Sequence, residues 1–104
     1  MNCSSSNIIY LITCTKCHKQ YVGETSRKLK DRLNDHKSHI CAKKNTAIAV
    51  HFQTATHKLK YLTITPMQQF PYDDKDIRLN RVKYWIKTLN TAYPYGLNNY
   101  PIDK

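Results

Sequence analysis

A Cys-Thr-Lys-Cys turn between two β-prone segments is the feature that most constrains the fold of this chain. Residues 7–13, NIIYLIT, are β-branched and apolar, and residues 19–24, KQYVGE, regain extended character and include Gly23. A short apolar run without alternation is typical of a central strand that is buried on both faces. We therefore expect an antiparallel hairpin with Cys14 and Cys17 at its tip.

The segment after the hairpin predicts an amphipathic helix. Its inner stripe recurs at helical spacing and consists of Leu29, Leu33, His36 and Ile40. Thr25 or Ser26 is a suitable N-cap, and the helix is expected to end at about His39. Arg32 lies one turn from both Leu29 and His36, so it borders the buried stripe.

The remaining chain predicts a short helix, a strand and a longer helix. TAIAVHFQTAT, residues 46–56, is the short helix, and LKYLTIT, residues 59–65, is a strand that ends at Pro66. Asp73 or Asp74 caps the last helix, which runs to about Asn90. Its apolar face consists of Val82, Trp85, Ile86 and Leu89. The predicted fold is α+β, a small three-stranded antiparallel sheet flanked by helices.

The chain of 104 residues suits a single domain, with a core over residues 7–98 and flexible ends at 1–6 and 99–104. Its formal charge is +10, and residues 1–60 hold eleven Lys or Arg against three acidic residues. Such a basic half attracts polyanions, because neutralising phosphates releases counterions. DNA, bound through its phosphate backbone, is the expected partner. RNA and an ordinary solvated basic surface are the alternatives.

No membrane-spanning or targeting segment is expected. The longest apolar run, Ile8 to Ile12, is far shorter than the roughly 18 residues that cross a bilayer. No basic segment of the kind that begins a signal peptide precedes it. We therefore expect an intracellular, nuclear protein, and in such compartments stable disulfides are uncommon.

The two hairpin cysteines are instead expected to bind a metal. A Cys-x-x-Cys turn supplies two thiolates, Cys14 and Cys17, and HFQTATH supplies His51 and His57, which completes a tetrahedral zinc site. This site would join the hairpin tip to the second helix and stabilise a small core. The alternatives are unligated thiols, or a site in which other residues replace a histidine: His18, His39 or Cys41. A redox role is disfavoured because the pair does not open a helix, and Cys3 is expected to be free.

Four motifs in order resemble the GIY-YIG nuclease family: IIY at 8–10, YVG at 21–23, LKDRLNDH at 29–36 and YGLN at 95–98. The likeness is greatest to the endonuclease domains attached to Penelope-like retroelements, and it covers residues 7–98. It implies a DNA-nicking endonuclease that uses Mg²⁺ or Mn²⁺. It also raises the prospect of a longer reverse-transcriptase polypeptide and leaves the oligomeric state open.

By that resemblance, Tyr10 and Tyr21 would be the active-site tyrosines, one acting as general base and the other positioning water or phosphate. A tyrosine can serve as a base only if nearby positive charge lowers its pKa from about 10. Arg32 would supply that charge, and its planar fork would clamp the phosphate in the transition state.

The resemblance also assigns roles to three further residues. Gly23 would let the backbone approach the substrate closely, His36 would assist proton transfer or bind phosphate, and Asn98 would support the geometry at the sheet edge. Ordinary structural roles remain open for each residue. A strand tyrosine often belongs to the core, Arg32 has Asp31 and Asp35 as nearby ion-pair partners, and a histidine on an apolar stripe is often a core residue.

Val82 departs from the family pattern. The family carries a metal-binding glutamate on its last helix, and alignment on KYWIKTL places Val82 there. Valine offers no oxygen to Mg²⁺, although it can join the apolar face of the helix. Glu24 and Asp76 are the substitute carboxylates. We expect a DNA endonuclease with weakened or lost activity. The alternative is a catalytically dead, zinc-stabilised basic DNA-binding module.

Overall fold

The computed structural model describes residues 1–53 and 58–98. In chain order, the elements are β1 (Ile8–Cys14), β2 (Gln20–Thr25), α1 (Leu29–Cys41), α2 (Ala47–His51), a 3₁₀ turn (Leu59–Tyr61), β3 (Leu62–Gln69) and α3 (Lys75–Leu89). The sheet order is β2-β1-β3, and both pairings are antiparallel. The predicted α+β fold with a three-stranded antiparallel sheet and flanking helices is confirmed.

Strand β1 is central, and helices cover both of its faces. Ile8, Tyr10 and Ile12 pack into a core with residues of α1 and α2, whereas Ile9 packs with residues of α3 on the other face. Alternate residues of a strand point to opposite faces, so a strand covered on both sides has no polar face. This arrangement explains why the segment reads as a continuous apolar run.

Strand β3 differs from the prediction at both ends. Residues 59–61 form the 3₁₀ turn, and the strand continues past Pro66 to Gln69. Proline is tolerated there because β3 is an edge strand and its register against β1 shifts between Ile9 and Tyr10. The expectation that Pro66 ends the strand was therefore wrong.

Helix α1 begins later than predicted, and its N-terminus is stabilised by a different segment. Thr25 still belongs to β2, and the N-cap residue Lys28 makes no side-chain capping bond. Instead, the N–H groups of Leu29 and Lys30 donate to the carbonyls of Ser5 and Cys3, at 2.9 Å each. The first residues of the chain thus satisfy donors that a capping side chain would otherwise serve.

The other two helices begin at the expected kind of capping residue. The Asp74 side chain, one of the two predicted caps, accepts from the Ile77 N–H at 3.2 Å. Helix α3 ends at Leu89, close to the predicted end, and Asn90 follows as its C-cap in the left-handed conformation. Thr46 caps α2 in the same way. His57 and the end segment 99–104 lie outside the described residues. Within the described part of the chain, no helix has both the length and the apolar character needed to cross a membrane.

Candidate active site

Tyr10, Arg32 and His36 form a hydrogen-bonded group between β1 and α1. The Tyr10 hydroxyl lies 2.8 Å from His36 Nε2, and Arg32 Nε donates to the same hydroxyl at 3.2 Å. A guanidinium can only donate, so the hydroxyl oxygen accepts from Arg32 while the hydroxyl pairs with Nε2 of His36. Residues from three of the four family-like motifs are thus close together, since Tyr21 also packs edge-on against His36, with ring centroids 6.1 Å apart.

Burial controls the protonation of both tyrosines. It is the largest cause of a raised pKa at Tyr10, and the neighbouring Tyr21 adds to it, while Arg32 lowers the pKa by charge and hydrogen bonding. The balance leaves the pKa of Tyr10 well above its usual range. Burial raises the pKa of Tyr21 as well. The expectation that Arg32 lowers a tyrosine pKa enough for base catalysis does not hold in this structure, because desolvation outweighs the charge.

His36 is held in its neutral form in this site. Burial, followed by the charges of Arg32 and His39, lowers the pKa of His36 from 6.5 to about 4. The imidazole is therefore neutral at pH 7. It is also buried, as the helical stripe predicted. Its hydrogen bond with Tyr10 therefore joins two neutral side chains.

Gly23 lies directly over the Tyr10 ring, its cross-strand partner in the β1–β2 pairing. A Cβ at Gly23 would lie 2.8 Å from Tyr10 Cε1 and closer still to Cζ and Oη. Only glycine leaves room for this contact. The tight neighbour of Gly23 within the protein is therefore the Tyr10 side chain.

Asn98 ties the segment after α3 to the outer edge of β2. Its Oδ1 accepts from the Val22 N–H at 2.9 Å, and its Nδ2 donates to the Val22 carbonyl at 3.0 Å. The Thr91 hydroxyl donates to the same Oδ1 at 2.7 Å. The carboxamide thus pairs with β2 as a peptide group of a fourth strand would, and it does so next to Tyr21. The contribution of Thr91 could not be predicted from the sequence.

Cys14, Cys17 and His51 form a cluster at the hairpin tip. Their ligand atoms all lie within 4.8 Å of one another, and Cys17 Sγ is 3.5 Å from His51 Nε2. In a tetrahedral zinc site, a sulfur and a nitrogen ligand lie about 3.5 Å apart, so these residues fit a metal ion. Over residues 1–53 and 58–98, no other group of this kind was found, and the alternatives His18, His39 and Cys41 are not part of it. The fourth predicted ligand, His57, lies outside the described residues.

Comparison with known proteins agrees with this geometry. The GIY-YIG catalytic domain family matches residues 6–96. The chain belongs to the GIY-YIG family. No curated protein matches the sequence. Among solved structures, the catalytic domain of homing endonuclease I-TevI is similar, with a TM-score of 0.72 and 25% identity over 88% of this chain and 95% of that one. A mutant of that domain gives a TM-score of 0.71 and 25% identity over 86% of this chain and 89% of that one.

Val82, at the position where the GIY-YIG pattern implies a glutamate, is part of the core. It packs with Ile9, Val22 and Ile86 on the sheet face opposite Tyr10, and only 4% of it is exposed. The predicted placement on the apolar face of α3 is confirmed. No oxygen is offered to a cation from this position.

The substitute carboxylates do not make a divalent-metal site. Arg78 Nε donates to Glu24 Oε1 at 2.7 Å, so a guanidinium already neutralises Glu24. Asp76 is exposed on α3 and forms no ion pair within the described residues. The residues present therefore do not fit the Mg²⁺ or Mn²⁺ ion that the resemblance implies.

Arg78 was not singled out from the sequence, although a signal was available. It lies one helical turn before Val82 and is buried, with 3% exposure. A charged residue four positions before an apolar stripe of a helix must either disrupt the core or find acidic partners. Arg78 has two such partners, Glu24 and Asp73, each at 2.7 Å.

Proposed function

We propose that this chain is a DNA-binding GIY-YIG endonuclease domain of the retroelement type in which cleavage is weak or absent. The observation that carries the proposal is the pairing of two facts. The family position for a metal-binding carboxylate is a buried valine, and the nearby Glu24 is bonded to Arg78. Hydrolysis of a phosphodiester requires stabilisation of the charge on the phosphate oxygens and groups that can transfer protons. The hydrogen-bonded group of Tyr10, Arg32 and His36 remains, and the cation anchor is missing.

The proposed roles follow the contacts of each residue. Arg32, whose side chain is 28% exposed, holds a phosphate oxygen of the bound strand. Tyr21 is the more accessible tyrosine and orients the phosphate or an attacking water. Buried Tyr10 positions Arg32 and His36 through its hydroxyl, and Asn98 fixes the strand that carries Tyr21.

DNA binding in this proposal uses the basic surface beside the site. Exposed cations on and before α1 supply it: Arg27, Lys28, Lys30 and Lys37. They follow the phosphate backbone without reading sequence. The same proposal includes a Penelope-like origin, a longer reverse-transcriptase polypeptide and a nuclear location. It is supported by the order of the sequence motifs and by the cysteine pair between the two tyrosine motifs.

Zinc at Cys14, Cys17 and His51 is the proposed structural metal. The soft thiolates and the imidazole form a donor set that zinc prefers, and the ion would join the hairpin tip to α2. His57 is the proposed fourth ligand. The role is structural, since a site with four protein ligands leaves no open position for substrate.

A second candidate is an endonuclease that retains activity. The intact arrangement of Tyr10, Arg32 and His36 favours it, because random change after loss of activity would alter several positions. In that case another carboxylate, Glu24 or Asp76, would have to hold the cation.

Nicking of supercoiled plasmid in Mg²⁺ or Mn²⁺ tests these candidates. The native protein is compared with Val82→Glu, with the matched Val82→Gln and with Tyr21→Phe. We expect nicking only by Val82→Glu, because it restores the missing carboxylate, whereas glutamine has similar size without the charge. Circular dichroism checks that both variants fold, since each buries a polar group.

Three other results would change the assignment. Nicking by the native protein that is lost in Tyr21→Phe establishes the active enzyme and contradicts the proposed loss of cleavage. Equal nicking by the Val82→Glu and Val82→Gln variants shows that the carboxylate is not the missing element. If no variant nicks but all of them bind DNA, the catalytically dead DNA-binding module is the better description.

A further inference from the structure

An open, basic pocket lies at the end of β2 between the two long helices. Its volume is about 240 Å³, and its lining residues come from β2, α1, α3 and the segment between β2 and α1: Glu24, Thr25, Ser26, Arg27, Arg32, Lys75 and Arg78. Four of these carry positive charge and one carries negative charge. Asp35 pairs with Arg27 and Arg32, and Asp73 pairs with Arg78, so the pocket keeps a small excess of positive charge that favours anions.

Arg78 is the buried charge of this pocket. Its Nε and Nη1 atoms donate to Glu24 and Asp73, and a longer contact of 3.5 Å joins Nη1 to Asn7 Oδ1. Within residues 1–53 and 58–98, its Nη2 atom has no hydrogen-bond partner. The guanidinium is held rigidly by two carboxylates and keeps donors for a further acceptor.

Arg78 lies close along α3 to the position of the missing metal ligand. It precedes Val82 by one turn on the same face of α3, and both are buried. A guanidinium at this point supplies fixed positive charge at the end of β2, on the side of the sheet where α3 packs. Arg32 approaches the same pocket from α1. The Nη2 of Arg78 and the guanidinium of Arg32 are both donors at this pocket, and phosphate oxygens accept from such groups.

We propose that this pocket binds a backbone phosphate of DNA directly, with Arg78 and Arg32 as its ligands and without a divalent cation. The proposal rests on the proposed DNA-binding function and adds to it the site and its independence of metal. Glu24 is then a positioning residue for Arg78 that weakens phosphate binding by its own charge. Lys75 and Arg27, at the rim, contribute through charge.

Fluorescence anisotropy with a short labelled DNA duplex tests this proposal. We expect the Kd in EDTA to lie within about twofold of the Kd in Mg²⁺ at equal ionic strength, because no cation bridges protein and phosphate. Glu24→Gln is expected to tighten binding by about threefold to tenfold at low salt, since it removes a negative charge beside the phosphate. Glutamine keeps an oxygen that accepts from Arg78.

The matched variants Lys75→Gln and Lys87→Gln test where on the protein the phosphate binds. Both lysines are exposed on α3, at its N-terminal and C-terminal ends, and both changes remove one positive charge. Lys75→Gln is expected to weaken binding by about threefold to tenfold and to reduce the salt slope by about 1, and Lys87→Gln is expected to leave both nearly unchanged.

The outcomes separate this proposal from the function on which it rests. A requirement for Mg²⁺, weaker binding by Glu24→Gln, or equal effects of the two lysine changes would overturn the phosphate pocket while leaving DNA binding in place. If the folded native protein binds no DNA at low salt in either EDTA or Mg²⁺, the proposed function itself fails.

Discussion

Replacing Asn98 with alanine tests how the last segment holds the edge of the sheet. The change removes a donor and an acceptor that serve both backbone groups of Val22, together with the acceptor of the Thr91 hydroxyl. Asn98 is 3% exposed, so water does not readily replace it. Each such bond contributes about 1 kcal/mol net, and a buried group left unpaired costs about 1–3 kcal/mol. We expect a loss of roughly 2–4 kcal/mol in the free energy of unfolding.

Urea denaturation followed by circular dichroism measures this loss. Asn80→Ala, at an exposed position on α3, is the control and is expected to change stability by less than about 0.5 kcal/mol. Asn98→Asp refines the test, because an ionised carboxylate would face the Val22 carbonyl oxygen, while a protonated one can donate to it. The loss of stability in the Asn98→Asp variant should therefore become smaller as the pH falls from 7 to 5. An Asn98→Ala loss below about 0.5 kcal/mol would refute the assigned contacts.

Three further predictions concern the site and the hairpin. Gly23→Ala should lower the free energy of unfolding by at least about 1–3 kcal/mol in urea, because its Cβ overlaps the Tyr10 ring, and an unchanged midpoint would contradict that packing. The pKa of His36 is lowered from 6.5 to about 4, so its neutral form contributes stability that is fully present above about pH 6.5 and is lost as the pH falls toward 4. The pH dependence of stability between these values should be smaller in His36→Gln by about 2–3 kcal/mol, and an identical dependence would contradict the assignment. Chelation of the purified protein should lower its Tm. The Cys17→Ser variant should have a lower Tm than the native protein, and the chelator should not lower it further. Cys3→Ser, at an exposed cysteine outside the cluster, should behave like the native protein.

The sequence was sufficient to predict the sheet, its hairpin and the last helix, because these depend on local signals. A β-branched apolar run, a short turn and an Asp N-cap act over a few residues, and each is present at β1, at the hairpin tip and at Asp74. The start of α1 and the extent of β3 could not be predicted in this way. Carbonyls of Cys3 and Ser5 serve the first turn of α1, and Pro66 is tolerated because β3 lies at the edge of the sheet.

The candidate site shows the same division between residue identity and residue environment. The order of its motifs brought Tyr10, Arg32, His36 and Asn98 to attention, but their pKa values and partners depend on burial. Desolvation of a phenol or an imidazole cannot be predicted from the adjacent residues in the sequence, because it is produced by segments far apart in the chain.

The sequence by itself therefore determined the element order, the basic charge and the absence of a carboxylate at position 82. Only the tertiary structure decided that Val82 lies in the core and that Glu24 is bonded to a buried Arg78 fifty-four residues away. The physical reason is that the identity and order of the residues are properties of the sequence itself. The cost of burying a charge, and the partner that offsets it, exist only after distant segments have packed together.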